Sequence, residues 1–152
     1  MRFYTQENLD LDWEDYEKVR NAYSSHLASI RRQLPLPLYQ LHRHYSLHDA
    51  EVAAVLPLRN GKDLGILLDG FTNYDRKTGS DRCTFFLHFI GCTTETPTHL
   101  TGREWRVVEL DITEDSRPIL RILHYDRDRN AGEDEIVFND FDFYLRDSRE
   151  WQ

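Results

Sequence analysis

Cysteine, methionine and long apolar runs are scarce in this sequence. The 152-residue chain has two cysteines and one methionine, and no stretch approaches the roughly 20 apolar residues that a membrane-spanning helix needs. The first residues carry no apolar run of signal-peptide length. Cys83 and Cys92 fall at the two ends of one predicted strand, and the span of about 30 Å for such a strand is far beyond disulfide reach. We therefore expect a cytoplasmic protein with reduced thiols and no membrane partner.

An excess of basic residues is also missing. The net charge is −8, residues 109–152 hold thirteen acidic against six basic side chains, and only residues 19–108 are slightly basic. Because nucleic-acid binding needs a basic patch that neutralises phosphates, this composition argues against a nucleic-acid partner. An acidic surface can instead attract a basic protein. The sequence also lacks phosphate-binding and dinucleotide-binding glycine motifs and a nucleophile elbow, so it predicts neither a cofactor nor a common catalytic centre.

What is present predicts a single domain over residues 1–152. Apolar and aromatic residues recur every three or four positions from 11 to 34, which predicts one long helix that the following prolines end. Beyond Pro37 the pattern alternates and predicts strands. The predicted strands cover residues 52–59, 63–71, 82–91, 104–112, 119–125 and 135–145. Asn60-Gly61 is a strong hairpin signal between the first two.

Short connections indicate that successive strands are antiparallel neighbours. The predicted fold is therefore α+β, with one long N-terminal helix packed on a curved, mostly antiparallel sheet of about six strands. A partly open β-barrel is the alternative. The strand at 82–91 has apolar residues on both faces, which is typical of a central strand that is covered on both sides.

Three histidines and an aspartate are close together in the sequence, at His42, His44, His48 and Asp49. Imidazole and carboxylate groups bind zinc and iron, and a catalytic zinc has three protein ligands and one open position. In an extended segment the even spacing of the histidines places them on one side. The cluster therefore predicts a metal site. In the alternative interpretation, His48 and Asp49 form a hydrogen-bonded corner before the first strand.

Aromatic residues crowd the C-terminal part of the chain beside many carboxylates. Trp105, Phe141, Phe143 and Trp151 are the candidates for contacts with a partner, because aromatic anchors ringed by charge are typical of protein interfaces. In the alternative interpretation they cover the open end of the sheet. His124 is expected on the solvent or partner face of its strand.

The order of these elements resembles small bacterial families of unknown function. The chain begins Arg-Phe-Tyr-Thr after its methionine, has Trp13-x-x-Tyr16 in the helix and Leu47-His-Asp-Ala-Glu-Val52 before the first strand, and ends in the acidic-aromatic segment 137–143. Some of these families look like immunity proteins of polymorphic toxin systems. The resemblance implies an α+β fold and a binding role, and the acidity suits a basic toxin, but the resemblance identifies no functional residue.

These observations favour a non-enzymatic protein-binding module with a basic protein partner, and an immunity protein as its specific form. Two alternatives remain open. One is a metal-dependent hydrolase that uses the histidine cluster, and the other is a small-molecule binder that uses one face of the sheet.

Overall fold

The structure is a computed structural model that describes residues 2–72, 81–93 and 95–147. Its helices are α1 (Gln6–Leu9), α2 (Trp13–Ile30) and α3 (Leu36–His44), with 3₁₀ turns at Arg31–Gln33, Arg59–Gly61 and Thr98–Leu100. Its strands are β1 (Ser46–Leu58), β2 (Asp63–Thr72), β3 (Asp81–Ile90), β4 (Glu104–Ile112), β5 (Pro118–Tyr125), β6 (Ala131–Val137) and β7 (Asp140–Asp147). In this described part of the chain, no helix is both long enough and apolar enough to cross a lipid bilayer. The predicted α+β class is confirmed.

The long helix predicted over residues 11–34 is present as α2. Asp12 fixes its start, because the Asp12 carboxylate accepts a hydrogen bond of 3.0 Å from the Asp15 amide, as a residue at the N-cap does. Tyr23 and Ile30 are the buried residues of this helix, so one face packs on the rest of the fold. A 3₁₀ turn then closes the helix.

A second substantial helix, α3, lies where the sequence predicts strands, so the assignment directly after Pro37 is wrong. Pro35 is the N-cap of α3 and Pro37 lies in its first turn. Proline is compatible with this position because the amide hydrogen that it lacks has no partner in the first turn of any helix. Leu38 and Leu41 are spaced to share one face, and both are buried in the core.

The seven strands of the described residues form one antiparallel sheet in the order β6-β5-β4-β1-β2-β3-β7. The sheet has one strand more than predicted, because the segment 135–145 is divided at Phe138 and Asn139 into the end of β6 and most of β7. The alternation lapses at this break, where three apolar residues at 136–138 are followed by Asn139 and Asp140, and the predicted strand runs through this interruption.

The sheet is strongly curled, because its two edge strands are consecutive in the chain. β6 ends at Val137 and β7 begins at Asp140, and three peptide steps span at most about 11 Å. The Thr93 amide donates to the Val137 carbonyl at 3.2 Å, and the Asn139 amide donates to the Ile90 carbonyl at 2.8 Å. Within the described residues no pairing joins β6 to β7, so the predicted curved sheet, and not the barrel, is the observed architecture.

The predicted hairpin at Asn60-Gly61 is confirmed. β1 and β2 pair on either side of it, and the φ angles of Asn60 and Gly61 are 60° and 79°. These left-handed values are the reason why asparagine and glycine are favoured at such a turn.

One core joins the helices to both halves of the sheet. Trp105 on β4 and Phe89 on β3 have no exposed surface. The ring centroids of Phe138 and Phe141 each lie 5.1 Å from that of Phe89. Because burying one such aromatic side chain contributes about 1.5–3 kcal/mol, packing stabilises the corner between β6 and β7 together with its hydrogen bonds.

The side chains of β3 alternate between a buried and a partly exposed face, contrary to the prediction of a strand covered on both sides. Its buried residues are Cys83, Phe85, Leu87 and Phe89, and its partly exposed residues are Thr84, Phe86, His88 and Ile90. β3 is also the neighbour of the edge strand β7 and not the centre of the sheet. Cys83 and Cys92 both lie in the described residues and form no disulfide there.

A buried carboxylate holds the start of the chain. Glu109 on β4 is 1% exposed and accepts hydrogen bonds from the amides of Arg2, Phe3 and Tyr4 at 2.8, 2.7 and 2.5 Å. The Tyr4 ring packs edge-on against Tyr23 of α2, with 5.2 Å between ring centroids. One side chain therefore satisfies three backbone donors and fixes the N-terminal residues between β4 and α2.

Candidate functional site

The predicted metal-ligating histidines lie on two different elements. His42 and His44 belong to α3, where a spacing of two residues points side chains to different sides of a helix. His44 is exposed. His42 is partly buried, its Nε2 lies 3.3 Å from the Tyr23 hydroxyl, and burial lowers its pKa. Because the Tyr23 hydroxyl already accepts the Leu110 amide at 2.9 Å, its proton is available to donate to a neutral His42.

His48 and Asp49 lie together at an irregular point of β1. The His48 Nδ1 is 2.7 Å from a carboxylate oxygen of Asp49, and the other Asp49 oxygen lies 3.4 Å from Arg106. Asp49 has a φ of 61°, inside a register shift between Ser46 and Glu51. This is the geometry of the hydrogen-bonded corner, and ligation of a metal by the four clustered residues stays a prediction.

His42 and His48 also line a cavity of about 280 Å³ between α3 and β4. The side chains of Leu38, Leu41, Leu110 and Leu120 form its apolar wall. Arg106 lies at the same cavity as the two histidines. An apolar cavity with a few convergent polar groups is the usual form of a small-molecule site.

Two of the four predicted partner-binding aromatics are core residues. Trp105 and Phe141 are 0% and 2% exposed, which favours the alternative interpretation that they cover the sheet, and contact with a partner through these two residues stays a prediction. Phe143 is partly buried and packs edge-on against Tyr45, with 5.8 Å between ring centroids. Trp151 lies outside the described residues. Side chains alternate along β7, and Phe141 and Phe143 are on the side that faces the core.

The opposite side of β7 carries an exposed aromatic residue that the sequence analysis did not select. Tyr144 is 60% exposed. It pairs with Phe86 of β3, which in turn pairs with Leu67 of β2, and the ring centroids of Tyr144 and Phe86 lie 6.3 Å apart. We call Leu67, Phe86 and Tyr144 the outer aromatic face. A signal for it was present, because side chains on one face of a strand are two residues apart and Tyr144 is out of phase with Phe141 and Phe143.

The outer aromatic face forms the floor of a shallow groove of about 430 Å³. Its remaining lining residues are Asp69, Thr84, Leu145 and Arg146. Gly65 lies beneath the Phe86 ring, where an added Cβ would come within 2.9 Å of it. The absence of a side chain at Gly65 therefore lets Phe86 lie down against the sheet.

Carboxylates line the strand at the edge of this groove. The amides of Phe141 and Phe143 donate, each at 2.8 Å, to the carboxylates of the preceding residues, Asp140 and Asp142. An amide that donates to a side chain is not offered to an added strand, and acidic side chains on an edge strand oppose further strand pairing. This edge therefore presents negative charge instead of free backbone donors.

His88 and Asp63 form a hydrogen-bonded pair at the end of the same face. The buried Asp63 carboxylate accepts the Gly91 amide at 3.1 Å and lies 3.2 Å from His88 Nε2. The Gly91 hydrogen bond is the main reason why the pKa of Asp63 is below its ordinary value of 3.8, and the His88 contact lowers the pKa further against the effect of burial. Asp63 is therefore a structural carboxylate that links β2 to the end of β3.

The fold and these sites define a class of protein with helices packed on a curled antiparallel sheet and an exposed outer face. The chain belongs to the family described as protein of unknown function DUF4085, whose model matches residues 3–125. The matched range runs through β5, so Tyr144 lies beyond it. No curated protein and no solved structure matches the chain.

Proposed function

We propose that this protein is a non-enzymatic binding module that binds a basic protein through its outer aromatic face. The observation that carries the proposal is the exposure of Tyr144, 60%, in a cross-strand row with Phe86 and Leu67. Exposed apolar groups that are grouped and rimmed by polar residues are typical of interaction sites. Tyrosine is also enriched among the residues that contribute most binding energy at interfaces.

The charge around the groove supports a basic partner. Asp69 and Arg146 both line the groove, and Asp140 and Asp142 add negative charge along its edge strand. The C-terminal region that contains this edge strand, residues 109–152, has a net charge of −7. Complementary charge accelerates association and selects against acidic partners. A second copy of this acidic chain would be repelled.

The hydrogen bonds of β7 support docking through side chains. Because Asp140 and Asp142 accept the amides of Phe141 and Phe143, a partner gains little from adding a strand there. The groove beside Tyr144 instead suits an apolar side chain of the partner, surrounded by basic groups that meet the carboxylates. An immunity protein that neutralises a basic toxin is the specific form of this function that the order of elements and the acidity favour.

Site-specific photo-crosslinking tests the proposal. A photoreactive phenylalanine analogue replaces Tyr144, and the matched control carries the same analogue at Lys18, an exposed position on α2. Crosslinking is done in cells of the source organism, and the captured protein is identified by mass spectrometry. We expect one basic protein that is captured at position 144 and not at position 18, and that forms a stoichiometric complex with the purified wild-type chain.

Two outcomes would contradict this function. Equal crosslinking from positions 144 and 18 would show that the outer aromatic face has no special contact. Capture of an acidic protein would contradict the electrostatic argument even if the complex were stoichiometric.

The cavity beside α3 supports a second candidate function, the binding of a small amphipathic anion. Its wall is apolar, and Arg106 and His48 lie at its polar part, so a ligand with an apolar body and a carboxylate head fits its chemistry. Native mass spectrometry with a medium-chain fatty acid as the probe tests this candidate. A saturable adduct that is lost in Arg106→Ala supports it, and an adduct that persists in that variant contradicts it.

A further inference from the structure

Two histidines and an aspartate from three separate elements converge on one point of the structure. His99 Nε2 lies 2.8 Å and His124 Nε2 lies 2.7 Å from the same oxygen, Oδ2 of Asp134. One ligand atom from each residue lies within 4.8 Å of the other two, and these three form the one such group in the described ranges. This group is remote in sequence from the histidine cluster at 42–49. His124 is buried, so the expectation that it lies on a solvent or partner face is wrong.

The sheet positions two of these residues. His124 on β5 is paired with Gly132 on β6, and Asp134 is paired with Ile122, so His124 and Asp134 are diagonal neighbours on one face, within reach of each other. A Cβ at Gly132 would come within 2.4 Å of the His124 ring. The glycine therefore makes room for the imidazole between the strands.

The segment that follows His99 is anchored to the core and to β1. Leu100, the next residue, has no exposed surface. The Gly102 amide donates to the Val52 carbonyl at 2.8 Å, and the Val52 amide donates to the Arg103 carbonyl at 2.9 Å. These bonds attach the turn to β1, so His99 is held over the β5–β6 edge by a fixed segment of backbone.

We propose that His99, His124 and Asp134 bind a divalent transition-metal ion, with zinc as the best match. Two imidazoles and one carboxylate are a donor set that zinc takes in sites with three protein ligands, with water in the fourth position. In a tetrahedral site with bonds of about 2.0–2.1 Å, ligand atoms lie roughly 3.4 Å apart, and the three ligand atoms here lie within 4.8 Å of one another. The His99 side chain is 56% exposed, which leaves the fourth position accessible to water.

The burial of His124 separates this arrangement from an ordinary surface hydrogen bond. Its side chain is only 4% exposed, and Nε2, the ring nitrogen that faces Asp134, is the atom placed to bind the ion. A buried imidazole that meets a carboxylate and a second imidazole is an arrangement that a metal ion can complete.

Cobalt titration of the untagged full-length protein tests the proposal, because tetrahedral Co²⁺ has visible absorption bands and zinc then competes for the same site. We expect cobalt to bind at one saturable site per chain, and we expect zinc to displace the bound cobalt. His99→Ala and Asp134→Ala should each weaken the binding of both metals by at least about 100-fold, which exceeds the 10–100-fold typical of changes outside the ligand set. Circular dichroism verifies that each variant is folded.

His44→Ala and His48→Ala are the matched controls, because both residues are exposed and belong to the cluster predicted from the sequence. The proposal requires that these variants bind cobalt as the wild type does. It is overturned if no saturable binding occurs, if binding survives in His99→Ala, or if His48→Ala abolishes binding. The last outcome would instead support the metal site predicted at His42, His44, His48 and Asp49.

Discussion

Replacing Glu109 should destabilise the protein more than replacing any exposed acidic residue, because its carboxylate accepts hydrogen bonds from three backbone amides. A hydrogen bond to a charged group contributes about 1.5–3 kcal/mol, so the bonds to Arg2, Phe3 and Tyr4 set an upper range of about 5–9 kcal/mol. The N-terminal residues can detach and return their amides to water, and the loss is then limited mainly to the burial of Tyr4, about 2–3 kcal/mol. We expect Glu109→Ala to cost about 3–4 kcal/mol.

Glu109→Gln should lower the free energy of unfolding by less than Glu109→Ala does, because the oxygen of the glutamine side chain can still accept hydrogen bonds. Some loss remains, because the side-chain NH₂ group faces a backbone amide that also donates. Urea unfolding measures both changes: the urea concentration at the midpoint should fall, while the dependence of the unfolding free energy on urea concentration stays similar. The control is Glu104→Gln on the same strand, where the carboxylate is more exposed and contacts Arg129 at 3.2 Å, and a change within about 0.5 kcal/mol is expected. A cost for Glu109→Ala below about 1 kcal/mol, or equal to that of Glu104→Gln, would refute this reasoning.

Two further predictions concern buried polar groups. Because the Gly91 amide and His88 hold the folded-state pKa of Asp63 below 3.8, its contribution to stability is complete above that value and is lost as the pH falls through the folded-state pKa. Asp63→Asn should therefore flatten the acid side of a plot of unfolding free energy against pH, and an unchanged acid side would contradict this role. Trp105→Phe removes a buried indole nitrogen that lacks a partner, so its cost in calorimetry should stay below about 1.5 kcal/mol, against about 3–5 kcal/mol for Trp105→Ala. Equal costs would contradict this assignment.

Local patterns predicted most elements of the fold. The helical repeat over 11–34, the alternation on the strands and the Asn60-Gly61 turn each depend on nearby residues, and each prediction is confirmed, although β1 begins six residues before the predicted strand at 52–59. α3 was missed because proline was taken to prevent a helix, although it is compatible with a first turn. The break at Phe138 and Asn139 was missed because it depends on the curl of the sheet, which brings the two edge strands β6 and β7 close together.

The candidate sites depended on information that local patterns do not contain. Proximity in sequence suggested one group of histidines, whereas His99, His124 and Asp134 come together only through the pairing of β5 with β6 and the anchored turn before β4. The aromatic candidates were chosen by composition, and the alternation of side chains along β7 then decided which rings face the core. Tyr144 could have been selected from that alternation alone.

The dissociation constant of the complex with the protein captured at position 144 tests the proposed function most directly, measured for the wild type and for Tyr144→Ala. Tyr144 is 60% exposed, so its loss should leave stability within about 0.5 kcal/mol while weakening binding by at least about 30-fold, the effect of removing a residue worth about 2 kcal/mol at an interface centre. Equal affinities for the two chains would contradict the assignment of the outer aromatic face as the docking surface.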